Sequence, residues 1–264
     1  MKIIGILQNG SGGSERLAAL LGEKLRTAGF EPLPDAVDGA ELVVCIGGDG
    51  SFLHALRRFD FPDIPFAGFN TGHLGFFQEL DEGDIDFFLT KYKSGGYVRQ
   101  IYRTVEAVIE HDAGSLRVRG LNEIVVRGAD ARLCHLEIYI GDSFIENFSG
   151  DGVVVSTPAG STAYNYALGG SIVDPRLSLL QLSPIAPVNS AAYRSFTSGI
   201  LLPPNLDIEI YPAPAQKETF VSVDGETLSL SGIRSISVAL SEKAVTLLRF
   251  KDYLFWDTVK TKLL

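Results

Sequence analysis

Leu42–Ile46 is an unbroken apolar run that ends abruptly in Gly47-Gly48-Asp49-Gly50-Ser51. A strand with no polar alternation has both faces covered, which calls for a sheet with helices on either side. Phe52, Leu53 and Leu56 follow at helical spacing and supply such a helix at once. The glycines let the main chain approach a phosphate closely, since no Cβ intervenes and positive φ is permitted. The N–H groups that open the helix then face the anion. A carboxylate beside phosphates is repelled unless a cation compensates it or it takes a proton, so Asp49 in this place points to phosphoryl transfer. Taken alone, the motif has a plainer reading, a glycine-rich strand-to-helix turn with Asp49 as its cap. It is neither the Gly-Lys-Ser/Thr phosphate loop nor the dinucleotide fingerprint with one residue between its first two glycines.

The same alternation of strand and helix runs through residues 1–98. Ile3–Leu7 is a second apolar run, followed by the loop Gln8–Gly13 and a helix with Leu17, Leu20, Leu21 and Leu25 on one face. Gly29 stands where a C-terminal cap belongs. Pro65–Phe69 makes a third strand. The expectation is an N-terminal doubly wound α/β domain around a parallel sheet. From Arg99 the period changes to two: Cys134, Leu136, Ile138 and Ile140 alternate with Leu133, His135, Glu137 and Tyr139, and Gly141-Asp142 turns the chain into Ser143–Phe148. Thr104–Glu110, Leu121–Val126, Gly152–Ser156, Leu206–Tyr211, Phe220–Val223, Ser235–Leu240 and Val245–Phe250 are further short strands, with Asp224-Gly225 as another tight turn. Residues 99–250 are therefore expected to form an antiparallel β-rich domain. Residues 251–264 return to helical spacing through Phe255, Trp256, Val259 and Leu263. No low-complexity linker separates the halves, so a site is expected where they meet.

Composition removes several function classes. At 264 residues the chain buries a full core, and 45% hydrophobic with 21% charged residues describes an ordinary globular protein. The net charge of -9 argues against a general nucleic-acid binder, which needs a basic surface. An anionic ligand would have to be neutralised by backbone N–H groups and a divalent metal. Cys45 and Cys134 are too few for a disulfide framework and lack metal-ligand spacing, so both read as reduced structural residues. Met1–Leu7 lacks a signal-peptide cleavage pattern, and no run reaches membrane-spanning length. The expectation is a soluble cytoplasmic chain.

Three further segments carry chemistry. Phe69-Asn70-Thr71-Gly72-His73-Leu74-Gly75-Phe76-Phe77 follows the third strand, and ligands of doubly wound sheets sit beyond the carboxyl ends of the strands. This loop is expected beside Asp49, with Asn70 offering an amide to ribose or phosphate and Phe76 a flat face to a base. The plainer alternative is that both phenylalanines plug the junction of the halves. His73, alone in a glycine loop, reads as structural. Asn122-Glu123 opens an apolar strand; an amide that donates and accepts stands next to a carboxylate able to take two ribose hydroxyls. The richest segment is Gly150 to Gly170, in which a second Gly-Asp-Gly at Asp151 precedes a strand, the loop Thr157-Pro158-Ala159-Gly160-Ser161-Thr162-Ala163 and a short helix through Tyr164 and Ala167. Hydroxyls and exposed N–H groups there can bond a base edge or phosphate, and Tyr164 can stack on an aromatic ring.

Together and in this order, these segments resemble the NAD kinase family. Gly47-Gly48-Asp49-Gly50-Ser51 looks like its first signature with Ser51 in place of threonine, and Gly160-Ser161-Thr162-Ala163-Tyr164 is the more specific match. A Gly-Gly-Asp-Gly loop alone is shared with diacylglycerol, sphingosine and phosphofructokinase-type kinases. Ala159, Tyr166 and Ser171 depart from the family pattern. The resemblance implies transfer of phosphate from ATP to the 2′-hydroxyl of the adenosine ribose of NAD. It implies Asp49 at that hydroxyl, as base or orienting acceptor, with Gly47, Gly48, Gly50, Ser51 and Asn70 around it. Asn122 and Glu123 would hold the nucleoside; Asp151, Ala159, Ser161, Thr162, Ala163, Tyr164 and Ala167 would line the NAD pocket, with Phe76 against adenine. It also implies a C-terminal helix returning to the first domain and homo-oligomers, dimers or tetramers. Mg²⁺ would arrive bound to the triphosphate, since no all-protein cage is visible in the sequence; polyphosphate is an alternative donor. The competing readings are a lipid kinase and a non-catalytic dinucleotide-binding regulator.

Overall fold

The first unit, Met1–Tyr102 with Ala244–Leu264, is built on parallel strands. In the computed structural model, which describes residues 1–72, 75–129, 133–191, 193–214 and 218–264, β1 (Lys2–Gln8) lies between β2 (Phe30–Pro34) and β3 (Leu42–Ile46), and β3 is followed by β4 (Phe66–Phe69). All these pairs are parallel, and Leu247 near the end of the chain pairs with Phe66 in the same sense. β3 and β4 are buried at every position, as their unalternated sequences require. β2 is not among the strands expected from the sequence, and it carries Pro32 and Pro34, which disfavour a central strand. It sits at the sheet edge, where a missing N–H disturbs no second neighbour.

The helices cover this sheet through one face each. α1 (Gly12–Thr27) buries Leu17, Leu21 and Leu25; Ser11 caps its start by accepting from Ser14 N, and Gly29 takes φ 88° just past its end. α2 (Asp49–Arg58) buries Phe52, Ala55 and Leu56, while Leu53, expected on that face, is only half-buried. α3 (Ile85–Ser94) adds Ile85, Phe88 and Leu89 to the core formed by Ile4, Ile6, Leu42, Val44 and Phe69. The C-terminal α5 (Phe255–Lys262) buries Val259 but leaves Trp256 exposed, against expectation.

The second unit, Arg103–Lys243, is antiparallel. One sheet runs β12 (Ile200–Leu202), β11 (Leu180–Ile185), β10 (Gly152–Ser156), β7 (Glu123–Gly128), β14 (Thr219–Val223), β15 (Glu226–Thr227). The remaining strands are β5 (Val98–His111) paired with β6 (Gly114–Gly120), and β8 (Cys134–Ile140), which lies between β9 (Ser143–Gly150) and β13 (Ile208–Pro212). Both expected hairpins form, at Gly141-Asp142 and at Asp224-Gly225, the latter with φ 46° and 83° at its central residues. β16 (Ser235–Arg249) is one continuous strand where the sequence suggested two. The division between units falls inside β5 and β16; residues 99–102 and 244–250, expected with the β-rich part, belong to the first unit. The core of the second unit gathers alternate residues: Ile124 and Val126 of β7, Val153 and Val155 of β10, Leu136 and Ile138 of β8, with Phe148 fully enclosed. Cys45 and Cys134 are both buried, each in one unit's core strands.

Phe148→Ala removes a whole buried ring from this core and is expected to destabilise the protein by about 3–5 kcal/mol, measurable as a lowered midpoint in urea unfolding.

Candidate functional site

The Gly47–Ser51 turn delivers Asp49 to the first position of α2, with Gly48 as an N-cap that makes no side-chain bond. Gly47 takes φ 144°, and a Cβ there would collide with the Ser51 side chain, so this position needs glycine. Half-buried Asp49 is fixed through both oxygens: Phe76 N donates to Oδ2 and Phe77 N to Oδ1, each at 3.0 Å. The expected neighbourhood of this loop and Asp49 is thus found. A Cβ on Gly75 would fall on Asp49 Oδ1, which explains a glycine at that point of the loop. Gln78, fully buried, donates from Nε2 to Gly48 O at 2.7 Å and so ties the loop to the glycine turn.

The two phenylalanines part company. Phe77 is buried and stacks on Phe52 with ring centroids 5.0 Å apart, as a core plug. Phe76 is half-buried, with Phe255 at 6.1 Å and the Lys262 ammonium 5.5 Å from its ring centroid. Asn70 turns its Oδ1 to Gly72 N at 2.8 Å, which leaves its amide nitrogen for other partners. His73 and Leu74 lie outside the described residues. Asn9 Nδ2 reaches Ser51 Oγ at 3.2 Å. Beside this contact a cavity of about 390 Å³ is lined by Asn9, Ile46, Ser51, His54, Arg58 and Phe59. It opens at the carboxyl ends of β1 and β3, where the strand order reverses, the usual ligand position in such sheets.

Sequence reasoning missed the residues behind this loop. Arg249, at the end of β16 and 4% exposed, donates from Nη2 to Phe76 O at 2.7 Å and to Tyr102 Oη at 2.9 Å, and from Nε to Gln100 Oε1 at 2.7 Å. Its guanidinium lies 3.6 Å from the centre of the Tyr253 ring, and Glu79 Oε2 is 3.8 Å from Nη1. Burial raises the Glu79 carboxyl above its usual range, despite Arg249 and the N–H groups of Phe250 and Lys251. The one signal in the sequence was an arginine set between the apolar pair Leu247-Leu248 and Phe250.

In the second unit Asn122 and Glu123 are both buried. The carboxylate of Asp224, itself at positive φ in the hairpin turn, accepts from Leu121 N at 2.9 Å, Asn122 N at 2.7 Å and Glu123 N at 3.2 Å. Asp224 is a second residue that sequence reasoning passed over except as a turn. Burial first, and the neighbouring Asp224 charge second, push the Glu123 carboxyl up to about 8. Asn122 Oδ1 and Glu123 Oε2 are buried without a hydrogen-bond partner among the described residues. Orphaned buried acceptors are costly, and donors on a ligand would satisfy them.

The Thr157–Ala167 loop is tied to this pair. Thr157 N donates to Asn122 O at 2.9 Å, Thr157 Oγ1 to Leu121 O at 2.6 Å, and a Cβ on Gly160 would fall on Asn122 O. The Ser161 hydroxyl is held inside the loop, donating to Pro158 O at 2.7 Å and accepting from Val173 N at 3.0 Å. Thr162 Oγ1 donates to Ala159 O at 3.3 Å. Tyr164 opens a one-turn helix, α4 (Tyr164–Ala167), and packs on Val125, Val154 and Ile185. Ala159 and Ala163 are half-buried, whereas Ala167 and Asp151 are exposed.

A doubly wound sheet with an aspartate at a glycine-bounded helix start, and a β unit bearing a hydroxyl-rich loop, fit a phosphotransferase that acts on a nucleotide. Residues 31–97 match the ATP-NAD kinase N-terminal domain and residues 121–250 the ATP-NAD kinase C-terminal domain. The chain is 36% identical to an NAD kinase of Finegoldia magna, over 100% of this chain and 98% of that relative. It is 31% identical to NAD kinase 1 of Oceanobacillus iheyensis, over 97% and 96%. Among solved structures, an NAD kinase from Archaeoglobus fulgidus in complex with ATP superposes with a TM-score of 0.79 at 22% identity, covering 99% of this chain and 98% of that one. Yeast NADH kinase complexed with NADH superposes with 0.82 at 21% identity, covering 100% and 87%. The chain belongs to the NAD kinase family, enzymes that phosphorylate NAD.

Gly75→Ala should push the Asp49 carboxylate from its N–H cradle. Turnover is expected to fall about 10²-fold while circular dichroism stays that of the wild type. Glu123 makes a prediction about pH. Its folded-state carboxyl holds its proton up to about 8, above the ordinary 4.5, so between those values the native state binds more protons than the unfolded state. Stability of the ligand-free protein should therefore decline as pH rises through this window. Glu123→Gln should flatten that decline in urea titrations between pH 5 and 8; an unchanged slope would assign it to other groups.

Proposed function

We propose that the chain transfers the terminal phosphate of ATP to the 2′-hydroxyl of the adenosine ribose of NAD, with Asp49 against that hydroxyl. The observation that carries this is the double N–H clamp on Asp49 at the start of α2. Each carboxylate oxygen keeps a second lone-pair direction for a substrate proton while the clamp fixes its position. Phosphoryl transfer passes through a loose transition state, so such positioning counts for more than basicity. Gly47, Gly48, Gly50 and Ser51 give the donor phosphates a backbone-lined approach beside the helix start. Among the described residues no three His, Cys, Asp or Glu side chains converge on a metal position. We place Mg²⁺ on the triphosphate, where it would offset phosphate charge.

Asn122 and Glu123 are proposed to take donors from the nucleoside, since their orphaned oxygens need them. Asp151, Ala159, Thr162, Ala163, Tyr164 and Ala167 are proposed to wall the NAD pocket; Ser161 joins them through its backbone, its hydroxyl being engaged inside the loop. Phe76, with its half-buried ring, is proposed against adenine, and the Asn70 amide at the ribose or phosphate. The relatives' complexes with ATP and with NADH support both ligand classes. Polyphosphate as an alternative donor to ATP, assembly as a dimer or tetramer, and residence in the cytoplasm complete the proposal. No helix among the described residues is long and apolar enough to cross a membrane. Full-length likeness to NAD kinases supports this activity over a lipid kinase or a non-catalytic regulator.

The test is NADP formation from NAD, ATP and Mg²⁺, read with an NADP-specific dehydrogenase. Asp49→Asn is expected to lose at least about 10²-fold in turnover while calorimetry still shows NAD binding. Full turnover in that variant would remove Asp49 from the mechanism.

A further inference from the structure

The carbonyl of Phe76 and the N–H of Phe77 belong to one peptide group. Arg249 Nη2 donates to that carbonyl at 2.7 Å, and that N–H donates to Asp49 Oδ1 at 3.0 Å. In a trans peptide the two point in opposite directions. A buried guanidinium and the proposed reactive carboxylate therefore stand at the two ends of a single amide dipole. We propose that Arg249 is a positioning residue for Asp49, acting through this one peptide: it polarises the amide, strengthens the N–H bond to Oδ1 and holds the carboxylate toward the accepting hydroxyl. Hydrogen bonds in series reinforce one another in this way, more so away from water.

The surroundings of Arg249 fit the role. A buried cation is costly unless it is compensated, yet its carboxylate partner Glu79 stands at 3.8 Å and spends Oε1 on Phe250 N at 2.5 Å and Lys251 N at 3.3 Å. Among the described residues Nη1 finds no hydrogen-bond acceptor. Its bond to the Phe76 carbonyl, at 2.7 Å, is as short as its bond to Gln100 Oε1, and Tyr253 Oη is a second, longer donor to that carbonyl oxygen at 3.4 Å. Tyr102 and Tyr253, the titratable side chains facing both Arg249 and Asp49, are held above the ordinary phenol range by burial and stay neutral. Positive charge within this cluster comes from Arg249 and, behind Glu79, Lys251. The inference rests on the kinase reading of Asp49.

The experiment compares steady-state kinetics of the wild type, Arg249→Gln, Arg249→Lys and each change combined with Asp49→Asn. Arg249→Gln is expected to lower kcat about tenfold or more, a share of the ordinary general-base contribution, with KM for NAD and ATP within about twofold. Arg249→Lys should regain part of kcat, since the charge returns without the fork. On Asp49→Asn, Arg249→Gln should have no further effect on residual turnover, because the pair acts as one unit. If Arg249→Gln does not fold, Arg249→Gln with Glu79→Gln removes both buried charges together and carries the same expectation. Unchanged kcat, a change confined to KM, or an equal loss with and without Asp49 would overturn the inference. Absence of NADP formation by the wild type would overturn the kinase reading and this inference with it; wild-type turnover that Arg249→Gln leaves intact overturns the inference alone.

Discussion

The first unit is organised around a carboxylate that accepts two consecutive backbone N–H groups. Asp49 begins α2, where the helix dipole already favours negative charge, and Phe76 N and Phe77 N close on it from another loop. That pair of bonds fixes the side chain and, with Gln78 Nε2 on Gly48 O, also fixes the loop against the glycine turn. The loop in turn sets where Phe76 presents its ring and where Phe77 enters the core against Phe52. Core packing and site geometry therefore share one set of constraints: moving the carboxylate would shift a buried aromatic ring.

The second unit solves a related problem with two carboxylates of unequal fate. Asp224 receives three N–H groups at the head of β7. Glu123, next to it, is buried without such compensation and faces a like charge, so its neutral form is favoured up to about 8. A protonated carboxyl donates as well as accepts, and a ligand that brings hydroxyls finds both functions beside the free Oδ1 of Asn122. The Thr157–Gly160 turn lies directly on the Asn122 backbone, which makes the loop and the pair one structural element.

Much of this was legible in the sequence because it depends on local pattern. The apolar runs at Ile3–Leu7 and Leu42–Ile46, the caps of α1, the hairpin at Gly141-Asp142 and the glycine turn at Asp49 each follow from neighbours within a few residues. β2 was hidden because proline reads as a strand breaker unless the edge position is known, and edge position is a tertiary fact. β16 appeared as two strands because Ser241-Glu242-Lys243 looks like a turn, yet the chain stays extended through it. Arg249 and Asp224 escaped for a similar reason. Their partners lie 173 and about a hundred positions away, and no spacing rule reaches that far.

Glycine shows where local and long-range readings meet. Gly47 is required by its own φ and is visible as part of a turn. Gly75 and Gly160 are not at positive φ; they are required because a carboxylate oxygen and a carbonyl oxygen occupy the space a Cβ would fill. In both cases the space is taken by a group of the proposed chemistry, Asp49 or Asn122. A glycine kept for close approach by another segment thus marks a contact as surely as a charged pair does. At Gly75 and Gly160 such contacts seat each site loop against its functional side chain.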